Sequence, residues 1–128
     1  MSQKKLIPQN FEIVSGNDKT INVTVLNENA VAVGITGATI VWAVAIDAKS
    51  KSRIFFYTSP ANITIILPQT GLNKGKFRID VQDTDTEPLS IGRIRTDYHH
   101  EARMVSASGV KTTVMTGTMT VLGNVIPA

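Results

Sequence analysis

The chain has no cysteine. That excludes a disulfide framework, a thiolate zinc site and a cysteine nucleophile, and it says nothing about compartment. Histidine is scarce: there are two, and they are neighbours, His99 and His100. Aromatic residues are only 5% of the 128, so few rings are left for ligand stacking once a core is built. Charge is thin as well, at 18%, with a net of +3. The basic residues are dispersed from Lys4 to Lys111 rather than gathered in runs, so no nucleic-acid partner is expected. An uncharged stretch runs from Asn29 to Ile46, interrupted by Gly34, Thr36, Gly37 and Thr39, and is too short for a membrane span. The opening MSQKKLIPQN has two lysines with no apolar run behind them, so no secretory leader is expected. No segment carries the 3.6-residue period of a helix.

What the chain does carry is two-residue alternation. In Thr20 to Leu26, Ile21, Val23 and Val25 face one way and Thr20, Asn22 and Thr24 the other. In Ala38 to Asp47, Ile40, Trp42, Val44 and Ile46 form one face, and the lone tryptophan is expected to anchor a core. The small Ala43 and Ala45 on the second face suggest that another subunit covers it. Shorter strands are expected at Phe11 to Val14, at the aromatic Arg53 to Tyr57, and at Asn62 to Leu67 between Pro60 and Pro68. In that last strand Ile63, Ile65 and Leu67 alternate. Lys76 to Gln82 follows, with Phe77, Ile79 and Val81 inward. A polar connection, Asp83 to Gly92, is long enough for a helical turn.

The chain closes with two longer alternating segments, Ile94 to Val105 and Lys111 to Leu122, joined at Ser106–Gly109. Tyr98, His100, Ala102 and Met104 share one face of the first; His99, Glu101 and Arg103 share the other. About eight strands with turns every eight to twelve residues describe an all-β sandwich or barrel, and the uneven strand lengths favour the sandwich. The expected organisation is an N-terminal arm over 1–10, one sandwich domain over 11–122 and a tail over 123–128. A domain of this size buries roughly two-thirds of its unfolded surface, enough for a core without staples.

Catalytic and metal chemistry find no support. Neighbours on a strand point to opposite faces, so His99 and His100 cannot share a metal. Asp83, Asp85 and Glu87 have the spacing of a calcium loop, but Pro88 stands where its turn glycine belongs. GLNKGK, Gly71 to Lys76, has three residues between its glycines where a phosphate loop has four, and Phe77 replaces the magnesium-binding hydroxyl. Asn22 and Asn62 match a glycosylation pattern and read more simply as outward strand residues. Catalytic, cofactor-binding and metal residues are therefore all expected to be none, and no cofactor is expected. Arg93, Arg95 and Arg103, with His99, form a basic strip on one strand; with Glu101 they are the candidate subunit interface. The competing explanation is protection of an exposed edge strand.

Five motifs occur in order: GNDKTINVTV (Gly16–Val25), ITGATIVWAV (Ile35–Val44), TGLNKGKFRIDV (Thr70–Val81), YHHEARMVSASG (Tyr98–Gly109) and TGTMTV (Thr116–Val121). Together they resemble the immunoglobulin-like β-sandwich domains of tailed-phage structural proteins, in particular the N-terminal domain of baseplate upper proteins. The resemblance implies an immunoglobulin-like antiparallel fold and a non-enzymatic virion component, held by subunit contacts in a tail, baseplate, neck or capsid surface. It further implies partners among other virion proteins, many copies per particle, and assembly in the host cytoplasm. No following coiled coil or receptor-binding module is expected, in departure from the longer relatives, which favours a small accessory, connector or decoration subunit. The alternative is a carbohydrate- or receptor-binding module, with Tyr57 and Tyr98 as its candidate residues.

Overall fold

The structure, a computed structural model, describes residues 9–49, 52–89 and 94–123. The expected arm up to Pro8, Arg93, and the tail beyond Gly123 lie outside them. Eight strands form: β1 (Phe11–Val14), β2 (Lys19–Thr24), β3 (Thr39–Ala45), β4 (Arg53–Thr58), β5 (Ile63–Ile65), β6 (Lys76–Val81), β7 (Arg95–Val105) and β8 (Lys111–Leu122). A single helical turn, α1 (Asp83–Thr86), lies between β6 and β7, and a 3-10 turn, Gly71–Asn73, precedes β6. One sheet has the order β1-β8-β7-β3-β4, the other β2-β6-β5. In immunoglobulin lettering, C, F and G are β3, β7 and β8, extended by β4, and they face B, E and D, which are β2, β6 and β5. The protein is an immunoglobulin-like β-sandwich. It is antiparallel except at one place, where β1 runs parallel to β8, pairing Phe11 with Met119 and Val14 with Leu122.

The alternation seen in the sequence becomes the core. Ile40, Trp42 and Val44 of β3, Ala102 of β7, Met119 and Val121 of β8, and Phe77, Ile79 and Val81 of β6 are buried between the sheets. Each large apolar side chain buried in this way contributes about 1.5–3 kcal/mol. Trp42 lies on the interior strand β3, directly opposite Ala102 of β7 and Tyr57 of β4. No disulfide backs this tryptophan as one does in antibody domains; its neighbours are Phe55, Tyr57 and His100.

Two alternating positions fail at strand ends. Ile46, expected inward, is 64% exposed. Strand β3 stops at Ala45 beside a register shift, and the Asp47 carboxylate accepts from the Lys49 N–H to turn the chain. Leu67, expected to extend β5, is 70% exposed, because β5 ends at Ile65 ahead of the cis Leu67–Pro68 bond. The prolines flanking β5 confine it to the edge of the smaller sheet.

Polar side chains hold the ends of the sandwich. Ser15 donates to the carbonyls of Thr86 and Glu87, and Thr86, fully buried, accepts from the Gly16 N–H and donates toward Asn17 O. These bonds tie the β1–β2 turn to α1. At the other end one amide organises the loop before β6. Gln69 Oε1 accepts from the N–H groups of Ile35 (3.0 Å) and Gly75 (2.9 Å), and its Nε2 donates to the carbonyls of Ile66 (2.6 Å) and Asn73 (3.0 Å). All four hydrogen-bonding positions of the amide are used. Gln69→Ala orphans four backbone groups at a half-buried site, and a loss of about 2–3 kcal/mol is expected in urea unfolding. A change below about 0.5 kcal/mol would refute this role.

A candidate subunit interface on the five-stranded sheet

Strand β7 sets the geometry of the predicted site. Its inward residues enter the core. Its outward residues, Arg95, Asp97, His99, Glu101 and Arg103, form one column on the solvent face of the five-stranded sheet. The structure brings four of the five predicted interface residues, Arg95, His99, Glu101 and Arg103, into that column. The fifth, Arg93, lies outside the described residues.

Two expectations about this column change. It is not a basic strip, because Asp97 occupies the position between Arg95 and His99. Arg95 Nη2 lies 3.1 Å from Asp97, and His99 Nε2 lies 3.8 Å from Glu101. Hydrogen bonds from the Thr120 hydroxyl, first, and from Arg95 hold the Asp97 carboxyl below its usual range. No ion pair joins Arg103 to an acid among the described residues. Nor is β7 an edge strand. It lies between β8 and β3, so edge protection does not account for its charges.

Register extends the column into rows. Glu101 lies between Thr116 of β8 and Ala43 of β3, and Ala43 is opposite Phe56 of β4. His99 lies between Thr118 and Ala45, with Arg53 beyond. Arg103 lies between Thr113 and Val41, with Thr58 beyond. The face is therefore charged along its middle, threonine-rich on one side, and small and apolar on the other. Phe56 is 49% exposed, with the Arg53 guanidinium 4.0 Å from its ring centre. Sequence reasoning did not single out Phe56. The signal was present in RIFFYT, where alternation that turns Phe55 and Tyr57 inward must turn Phe56 outward.

On the opposite face of β7, His100 is fully buried. Trp42 Nε1 donates to its Nδ1 at 3.1 Å. Indole N–H is only a donor, so Nδ1 accepts and the ring proton sits on Nε2, which donates to the Gln9 carbonyl at 2.6 Å. Burial, first, and the neighbouring His99 lower the His100 pKa, against the Gln9 carbonyl, which raises it.

Of the two tyrosines considered for ligand stacking, Tyr57 is buried. Its hydroxyl donates to Asp85 at 2.6 Å and accepts from the Gln82 N–H at 3.0 Å. Burial and the Asp85 bond push its pKa well up. Tyr98 is half-buried against the core. Among the described residues no group of three His, Asp or Glu side chains is placed to hold a metal ion, and no helix is long and apolar enough to cross a membrane.

No family model matches the chain, and no curated protein matches it. Among solved structures, murine CRIg is similar over 91% of this chain and 93% of its own, at 12% identity and a TM-score of 0.37.

Proposed function

We propose that this chain is a non-enzymatic structural subunit of a tailed-phage virion, acting through subunit–subunit contacts in the tail, baseplate, neck or capsid surface. The five motifs that resemble phage immunoglobulin-like domains coincide with β2, β3, β6, β7 and β8, the strands that build most of both sheets. The observation that carries the reading is the outer face of the five-stranded sheet. There a charge-balanced column stands beside exposed Phe56, and Arg103 has no acid within ion-pair distance among the described residues. Free charge and apolar surface side by side suit a docking face better than a solvated one. Arg95, His99, Glu101 and Arg103 are the contacts assigned to it, with Arg93, the fifth expected contact, outside the described residues, and the partners are other virion proteins or further copies.

The test is mass spectrometry of density-purified particles. The protein is expected at many copies per virion, in stoichiometry with known structural proteins. Its recovery only in the unassembled fraction of the lysate overturns the reading.

A further inference from the structure

The outer sheet face is complementary to itself in one orientation, and we infer that a second copy of this chain docks on it. The two β7 strands run antiparallel across a two-fold axis that lies in the interface, perpendicular to the strands, at the level of His100. This rests on the assembly role proposed above and names the partner.

The argument is one of register. The outward column reads Arg95, Asp97, His99, Glu101, Arg103 at two-residue steps. Turning a copy end over end about His100 places position 97 opposite 103 and position 99 opposite 101. Asp97 then faces Arg103 of the second copy, and His99 faces its Glu101; the symmetry repeats both pairs. No like charges meet. An axis at His99 instead sets Arg95 against Arg103 and Asp97 against Glu101, which repel. An axis at Glu101 stacks that carboxylate on itself.

The rows on either side obey the same operation. An axis in this direction lays β3 on β3 and β4 on β4. Ala43 then faces Ala45 of the second copy, and Thr116 faces its Thr118, so small side chains lie where the sheets approach. Phe56 faces the second copy's Arg53, repeating between copies the cation–ring contact made within each at 4.0 Å. Arg103 acquires the carboxylate it lacks.

The face is five strands wide and seven residues tall along β3, which at standard strand spacing and rise is about 550 Å² per copy. That is less than the roughly 800 Å² per partner of a standard stable complex. The pair is therefore weak alone, with dissociation in the micromolar range or above, and is strengthened where many copies are held together.

Sedimentation velocity of the full chain, over a concentration series at low and high salt, reads this out. A monomer–dimer equilibrium weakened by salt is expected. Arg103→Asp and Asp97→Arg should each weaken self-association at least tenfold, because each sets like charges together. An equimolar mixture of the two should dimerise again, since each copy then offers what the other lacks. Circular dichroism and a thermal melt report whether each variant is folded, and Phe56→Ser, which leaves every charge in place, provides a second weakened variant. A monomer at all concentrations, dimers indifferent to both charge changes, or a mixture that stays monomeric overturns the inference. A monomeric protein that is still recovered in virions sinks the self-docking and leaves the structural role standing. A dimer never found in virions does the reverse.

Discussion

Gly117→Ala should detach the N-terminal strand from the sheet. A methyl group at Gly117 would meet the backbone of Gln9, with its carbonyl carbon at 2.6 Å and its nitrogen at 2.9 Å. Backbone atoms cannot rotate aside as a side-chain tip can, so the crossing segment must lift. With it go the Gln9 N–H bond to Thr116 O (2.7 Å), the Gln9 bond to His100 and the Thr118 N–H bond to Asn10 Oδ1 (2.9 Å). Pairing of β1 with β8 follows, and with it burial of Ile13 and the half-buried Phe11. Two such apolar side chains and their hydrogen bonds amount to about 3–5 kcal/mol. Urea unfolding should show that loss. Hydrogen exchange should show amides 11–14 opening while β3 and β7 stay protected. An unchanged midpoint with protected β1 amides would falsify the account. Gly109→Ala is the contrasting case. It has no atom within 4 Å but φ is +90°, so it should cost only torsional strain of about 1–2 kcal/mol.

The second large effect is acid destabilisation through His100. Its pKa in the folded protein lies below the ordinary value of 6.5, chiefly through burial. The unfolded chain therefore takes up a proton at a higher pH than the folded one does. Stability is full above about pH 6.5 and falls as the pH drops from there toward the folded-state pKa. Protonation also sets an Nδ1–H against the indole N–H of Trp42, breaking the relay from Trp42 through His100 to Gln9. Asp97, also shifted down, acts only below its ordinary 3.8, so its effect falls in a separate window. Urea midpoints measured from pH 8 to 5 should decline in wild type, and the slope should flatten in His100→Leu. That variant should also lose about 2–4 kcal/mol at pH 8 by orphaning the buried indole N–H and removing the bond to Gln9. A wild-type midpoint constant from pH 8 to 5 would show that His100 does not titrate between the two states.

Much of the fold could be read from alternation, and the misses have local causes. Trp42, Phe77, Ile79 and Val81 were expected inward and are buried. Ile46 and Leu67 fit the same period but lie one and two residues past the last paired residue of their strands, and a side chain beyond the ladder has no sheet to face. The character of the β7 column was half legible. Reading its basic residues alone made a basic strip, although Asp97 holds the same parity two residues from Arg95. Gly117 gave no sign of its role, because nothing adjacent in sequence announces that Gln9, far away along the chain, crosses it.

The sequence by itself determined which side of each strand is apolar, because side-chain direction in a strand is a local property with a period of two. It also excluded thiol chemistry, because the chain holds no cysteine, and it put His99 and His100 on opposite faces of one strand. Tertiary structure alone decided that β7 is interior, that β1 joins the sheet parallel to β8, and that Glu101, Ala43 and Phe56 lie in one row. Those facts depend on strand order and register, which arise from pairings between distant segments. Several registers satisfy the same alternation, and only the joint packing of both sheets around Trp42 selects one.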